Sequence, residues 1–238
     1  MLDGCQISNL PEFCALIVPD VPGQYQYNPA TNSGVASIRA LAFNGSAYTY
    51  KGIDLTGNYR VDFGGSSLNF RLLATHMTEQ LFQPTPGQPF VNVVGQTGTS
   101  NSFLSDYQPT ADWVANFATT YSRNRATITG QVRYVSSGVM NYYGITPGDP
   151  GYATAALPLV TMSNNEVPAY SVFNLAGSYD FKIKGSTLQL FAAINNAFDK
   201  NPPVAAGAGF GGDANGGTNP VFFDTLGRSY RVGVRATF

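Results

Sequence analysis

The chain has 238 residues and a net charge of -1, and only 11% of its residues are charged, against about 25% in an ordinary soluble domain. The near-neutral charge excludes the basic surface with which proteins bind nucleic acids or anionic lipids. No apolar run approaches the roughly 20 residues of a membrane-spanning helix, so a chain of this sequence that meets a bilayer must cross it with strands.

The first 51 residues are predicted to form a segment of their own. Cys5 and Cys14 are the only cysteines and suit a small loop disulfide in an oxidising compartment. The alternatives are two free thiols or a two-ligand metal site, although no histidine lies nearby. Residues 35–43 and 47–50 flank Asn44-Gly45-Ser46, a hairpin signal. We expect an extracellular hairpin here that adds no spanning strands.

Seven segments after residue 51 alternate between apolar and polar side chains with the period of a β-strand. In the first of them Ile53 and Leu55 fall on the apolar face, and Asp54 and Arg60 fall on the polar face. The segments are residues 52–63, 68–75, 112–121, 127–134, 172–181, 187–195 and 229–238. We therefore expect seven long strands.

The connections between these strands alternate in length. Short turns near residues 64–66, 122–125 and 182–186 alternate with long connections near 80–110, 138–168 and 199–227. Transmembrane barrels have this asymmetry, with strands of about ten residues and an outward apolar band. The arginines of the strands also fall on the polar faces, where they avoid lipid: Arg60, Arg71, Arg133, Arg231 and Arg235.

These patterns predict an all-β fold, a segment of an antiparallel up-and-down transmembrane β-barrel with about seven spanning strands and an extracellular hairpin. Residues 1–51 are the expected extracellular loop with the paired cysteines, and residues 52–238 are the expected barrel strands. A soluble β-sandwich is the alternative, but its apolar faces would fill a core, and its long loops would rarely gather at one end.

Several motifs resemble the C-terminal part of the β-barrel of TonB-dependent outer-membrane receptors. Residues 5–14, 34–43 and 52–59 resemble the paired-cysteine loop of these receptors and the strand that follows it. Residues 195–203 (NNAFDKNPP) resemble the end of the penultimate strand, and residues 223–230 (FDTLGRSY), continuing to Phe238, resemble the closing strand. The resemblance implies a 22-stranded barrel with a plugged lumen in the outer membrane of a Gram-negative bacterium.

The resemblance also implies a function and partners. The function is energy-coupled uptake of a scarce nutrient: a siderophore, vitamin, metal complex or oligosaccharide. The partners are outer-membrane lipid, the remaining barrel strands, the plug domain, TonB acting through the N-terminal part of the receptor, and the barrel-assembly machinery, for which Tyr230 and Phe238 resemble the signal. Phe238 is alternatively a simple lipid-facing residue. The plug domain, the TonB box and an export signal are expected to be absent from this chain, and no cofactor, metal or nucleic acid is expected.

Aromatic and amide side chains in the long connections are the candidate ligand-binding groups. The alternative is that they are ordinary constituents of surface loops. The candidates are Phe82, Phe90, Tyr142, Tyr143, Tyr152, Phe210, Asn215, Asn219 and Phe222.

Other functions remain open at this point. A passive porin differs from a receptor by lacking a plug, and a truncated remnant would have no function. A hydrolase would require His76, the only histidine, to act with Thr75 and Glu79. Because His76 continues the apolar face at the outer end of its strand, an interfacial position is favoured, and the chain is predicted not to be an enzyme.

Overall fold

The structure is a computed structural model, and it describes residues 11–22, 35–39, 47–83, 89–98, 108–154, 160–183, 185–205 and 217–237. These residues contain a short helix, α1 (Pro11–Cys14), a 3₁₀ turn (Tyr152–Thr154) and fourteen strands. The seven long strands are β3 (Ala47–Phe63), β4 (Ser66–Gln83), β6 (Trp113–Arg123), β7 (Ala126–Val135), β12 (Tyr170–Ile183), β13 (Ser186–Asn195) and β14 (Ser229–Thr237). The short strands are β1 (Ile17–Pro19), β2 (Val35–Ile38), β5 (Val91–Asn92), β8 (Gly138–Val139), β9 (Gly144–Ile145), β10 (Val160–Thr161) and β11 (Glu166–Val167). Within the described ranges, no helix is long and apolar enough to cross a membrane.

The long strands form one sheet in the order β14-β13-β12-β7-β6-β4-β3, with β5 beside β4. This arrangement confirms the seven predicted strands and their up-and-down order. The β3–β4 turn uses Gly64 and Gly65 with φ of 52° and 77°, a left-handed pair that glycine adopts without strain. Asn124, with φ of 54°, has the same role between β6 and β7.

Two compact units are distinguished, Met1–Thr49 with Leu81–Asn92, and Tyr50–Gln80 with Val93–Phe238. The described part of the first unit contains a hairpin in which β2 pairs antiparallel with β1, with Ile17 opposite Ile38. Residues 47–50 begin β3. Residues 40–46 lie outside the described ranges, so the predicted hairpin of residues 35–43 and 47–50 and the division after residue 51 stay predictions.

The apolar face of the sheet is exposed along its length. Leu190 is 43% exposed, Ile128 53% and Val232 81%, although each lies on the side that sequence alternation assigns to apolar residues. Large apolar side chains in such a continuous band indicate an interface with lipid or with another molecule. A β-sandwich would have buried these residues between two sheets, so the β-sandwich alternative fails.

The opposite face is polar. A cavity of about 530 Å³ on this face is lined by Asn58, Asn69, Arg71, Ala118, Thr120, Thr129 and Gln131. The hydroxyls of Thr120 and Thr129 lie 3.0 Å apart across β6 and β7. Residues that alternate along the same strands therefore form one apolar face and one polar face of the sheet.

The buried core lies at the end of the sheet where the long connections begin. Tyr170 and Val172 of β12 have the parity of the polar face and are 3% and 7% exposed. Phe223 packs edge-on against Tyr170, with 5.5 Å between the ring centroids. Arg133 donates from Nη2 to the Val221 carbonyl oxygen at 3.2 Å. The connections thus fold over the polar side of the strands at this end.

Candidate ligand site in the long connections

The first and second long connections, residues 84–112 and 136–169, are joined by main-chain hydrogen bonds. Thr97 N and Gly98 N donate to the Val139 carbonyl oxygen at 2.9 and 3.2 Å, and Val139 N donates to Gly95 O at 2.8 Å. A Cβ atom on Gly98 would collide with the Met140 carbonyl group. Glycine at this position therefore permits the close approach of the two backbones.

Asn219 joins the third connection, residues 196–228, to the first. Its Nδ2 donates to Thr97 O and Gly98 O, both at 3.1 Å, and the residue is 2% exposed. Its own carbonyl oxygen accepts from Phe222 N and Phe223 N. One buried amide thus fixes the ends of two connections that are far apart in sequence.

Two neighbouring tyrosines are held on this assembly. Tyr142 N donates to Gln96 Oε1 and Tyr143 N donates to Asn141 Oδ1, both at 2.8 Å. The two rings meet edge to face with 5.4 Å between centroids. Tyr142 is 44% exposed, so the pair presents an open ring at the surface. We call Tyr142 and Tyr143 the tyrosine pair.

A third amide, Asn165, completes the base of the pair. Its Nδ2 donates to Asn141 O at 2.9 Å and to Gly144 O at 3.1 Å, and its Oδ1 accepts from Asn141 N at 3.0 Å. Burial, followed by the neighbouring Tyr142, raises the pKa of the Tyr143 phenol above its ordinary value of 10.0. The phenol therefore stays neutral at physiological pH and can both donate and accept a hydrogen bond.

The comparison with protein families decides the identity of the fold. The model of the TonB dependent receptor-like β-barrel matches residues 18–197, more than half of the chain. The chain belongs to the TonB-dependent receptor β-barrel family. The comparisons with curated proteins and with solved structures gave no match.

In this receptor barrel the two C-terminal motifs meet. Asp199 Oδ1 accepts from Arg228 N at 3.0 Å, and Arg228 Nη2 lies 3.6 Å from Asp199 Oδ2. Asn196, with φ of 49°, donates from Nδ2 to Lys200 O and accepts from Lys200 N. The motif beginning at residue 195 therefore closes one turn and also anchors the start of β14.

The receptor barrel brings together only part of the predicted ligand set. Tyr142 and Tyr143 form the pair, and Tyr152 is partly buried in the 3₁₀ turn of the same connection. Phe90 is 48% exposed and belongs to the other compact unit. Phe210 and Asn215 lie outside the described ranges.

Three predicted ligand groups prove to be interior residues. Phe82 is 2% exposed and stacks on Tyr48, and Phe222 is 9% exposed within the core. Asn219 is the buried amide that joins the third connection to the first. The prediction treated residues between strands as surface groups. In the structure β4 extends as far as Gln83, and the connections fold on one another with a core of their own. The role of these three residues in ligand binding stays a prediction.

The amide base formed by Gln96, Asn141 and Asn165 could not be predicted as a unit, because its members are distant in sequence. The only local signal was Asn141, directly before the two tyrosines. The structure describes only one of the two cysteines of the predicted disulfide. Cys14 is disulfide-bonded, and Cys5 lies outside the described residues. Phe238 of the predicted assembly signal lies outside them also, whereas Tyr230 lies on β14 and is 68% exposed.

The arrangement required for a hydrolase is not formed around His76. His76 Nδ1 lies 2.9 Å from Asp112 Oδ1, and its ring stacks on Trp113 at 4.3 Å. Thr75 donates instead to Asp54 Oδ1 at 2.6 Å. Since Thr75 has a carboxylate partner of its own, it is not activated by the imidazole. In the part of the chain that the structure describes, no three His, Cys, Asp or Glu side chains form a metal-binding group.

Proposed function

We propose that this chain forms part of the wall and of the outer ligand-binding surface of a receptor that imports a scarce nutrient across the outer membrane of a Gram-negative bacterium. The supporting observation is the hydrogen-bonded assembly of three long connections that presents the tyrosine pair on buried amides. A binding surface that is ordered before the ligand arrives loses less conformational entropy on binding. The nutrient binds at this surface, with Tyr152 of the same connection as a further candidate contact. Phe90, Phe210 and Asn215 stay candidate ligand contacts from the sequence alone, with no position assigned to them here.

Each face of the sheet has a distinct partner in this proposal. The exposed apolar face contacts outer-membrane lipid, and the polar face surrounds the plug domain. TonB acts on the plug domain and couples uptake to energy. Tyr230 and Phe238 serve as the signal for the barrel-assembly machinery.

The test measures which nutrient leaves the growth medium. Three strains of the host are compared: one that retains the gene, one without it, and one without TonB. We expect one nutrient to be depleted by the first strain and by neither of the others. Depletion that persists without TonB would instead identify a passive porin. Identical depletion with and without the gene would identify a nonfunctional remnant.

A matched pair of variants tests whether uptake depends on the assembly of the long connections. Asn219→Ala removes three side-chain hydrogen bonds, each of which contributes roughly 1 kcal/mol. It leaves the Thr97 and Gly98 carbonyl groups without that donor and Val221 N without that acceptor. We expect uptake to fall. Asn201→Ala, at an exposed position of the same connection, should retain uptake. Equal uptake by both variants would contradict a role for the assembled connections.

A further inference from the structure

We infer that the nutrient recognised by the tyrosine pair is a neutral, hydroxyl-rich molecule of the oligosaccharide class. The inference rests on the proposed function and specifies its substrate. It follows from the distribution of charge along the route through this part of the receptor, and from the chemistry of the groups at the pair.

The long connections are poor in cations. Residues 84–112 and 136–169 contain no lysine or arginine, and residues 196–228 contain only Lys200 and Arg228. Both of these have a partner already, since Arg228 lies 3.6 Å from Asp199 Oδ2, and Lys200 Nζ lies 5.4 Å from the centroid of the Tyr170 ring. Anionic ligands are recognised by arginine and lysine, which this surface does not offer.

The same connections contain seven acidic residues: Asp106, Asp112, Asp149, Glu166, Asp199, Asp213 and Asp224. Uncompensated like charges at a binding surface cost several kcal/mol, so an anionic chelate or acidic sugar would be repelled. Several of these carboxylates have structural partners. Asp112 pairs with His76, Asp149 accepts from Thr146, and Asp224 accepts from Leu226 N. These carboxylates are therefore engaged in turns and pairs and do not converge on one cation site.

The polar face beyond the connections has the opposite charge. It bears five arginines and Lys182 against three aspartates and Glu79. The arginines are Arg60, Arg71, Arg133, Arg231 and Arg235, and the aspartates are Asp54, Asp62 and Asp180. Arg71 and Arg231 line cavities on this face. A cationic ligand would therefore meet repulsion along the wall, whereas a neutral ligand avoids both barriers.

The tyrosine pair suits such a neutral ligand. An exposed tyrosine combines an apolar ring face with a hydroxyl group, which matches the alternating C–H and O–H groups of a sugar ring. Tyr142 provides the open face, and Tyr143, whose phenol remains protonated, provides a donor and an acceptor. The amides beneath the pair hold its backbone, so little conformational entropy is lost on binding.

The experiment measures binding of four probe classes to the full chain in host outer-membrane vesicles. The probes are neutral gluco-, xylo- and galacto-oligosaccharides, the matching uronic-acid oligosaccharides, cationic chitosan oligomers, and ferric citrate as an anionic chelate. We expect a neutral class to bind. Tyr142→Ala should weaken that binding by about tenfold or more, as for an aromatic hot spot. Tyr142→Phe, which keeps the ring, should bind within about threefold of the original, since each tenfold corresponds to roughly 1.4 kcal/mol. The control is Ser163→Ala at an exposed position of the same connection.

The outcomes separate the inference from the proposed function. Binding of charged probes in preference to neutral ones, or no binding of any neutral class, overturns the inference. TonB-dependent depletion of a charged nutrient overturns it as well but leaves the proposed function intact. If no nutrient is depleted in a way that requires both the gene and TonB, the proposed function itself is refuted. Equal weakening by Tyr142→Ala and Ser163→Ala would show that the tyrosine pair is not the contact surface.

Discussion

Leu190 offers a direct test of which face of the sheet meets lipid. It is the fifth of ten residues in β13, and its side chain is 43% exposed on the apolar face. An arginine facing the bilayer midplane costs about 2–4 kcal/mol, whereas an exposed substitution in water changes stability by roughly 0.5 kcal/mol or less. Leu190→Arg should therefore lower the folded-to-unfolded ratio by about 30- to 900-fold.

The neighbouring Gln189 is the matched control, because its side chain lies on the opposite face. Gln189 Nε2 donates to Asp180 Oδ1 at 2.9 Å, so an arginine at position 189 would meet a carboxylate in a wet lumen. Guanidinium titrations in phospholipid bilayers, followed by the fluorescence of the single tryptophan, Trp113, measure both variants. Free energies of unfolding that agree within about 0.5 kcal/mol would refute the assignment of faces.

Three further substitutions test the connections. Asn196→Ala should destabilise the protein by about 3 kcal/mol in the same titration. Two hydrogen bonds of roughly 1 kcal/mol each are lost, and alanine is strained at positive φ. Because glycine adopts positive φ without strain, Asn196→Gly should recover about 1 kcal/mol of this loss. Gly98→Ala should cost about 1–3 kcal/mol through its main-chain clash and should weaken binding, whereas Gly148→Ala, which has open space around it, should not. The pKa of Asp149 is lowered from its ordinary value of 3.8 by hydrogen bonds from Thr146, so its contribution to stability is present above that value and is lost as the pH falls through the lower folded pKa. The protection factor of the Thr146 amide in hydrogen exchange should therefore fall in acid, and Asp149→Asn should remove that dependence.

The sheet could be predicted from the sequence because its signals are local. Alternation needs only neighbouring residues, and Gly64-Gly65 marks a turn without reference to the rest of the chain. Strand ends were harder to place. β4 continues to Gln83, beyond the predicted end at Thr75, since residues 77–83 mix apolar and polar side chains on both faces. The family resemblance was likewise readable, because its motifs are short and contiguous.

The candidate site could be predicted only in part, because its bonds connect residues that are distant in sequence. Asn219 and Thr97 are 122 positions apart, and no pattern around either residue indicates the other. Tyr142 and Tyr143 were predictable as loop aromatics. Their support by Gln96, 46 positions from Tyr142, was not. The burial of Phe222 could not be predicted for the same reason, since burial within a folded connection depends on the other segments that it contacts.

The way the connections are joined has an evolutionary consequence. The bonds between the first and second connections, among them Thr97 N to Val139 O, join main-chain groups, and Asn219 also binds main-chain carbonyl groups. Substitutions at exposed positions such as Tyr142 therefore leave this framework intact, provided that Gly98 and Asn219 are kept. Under the proposed function, the exposed side chains that contact the nutrient can change in evolution or by design while the backbone that holds them stays the same.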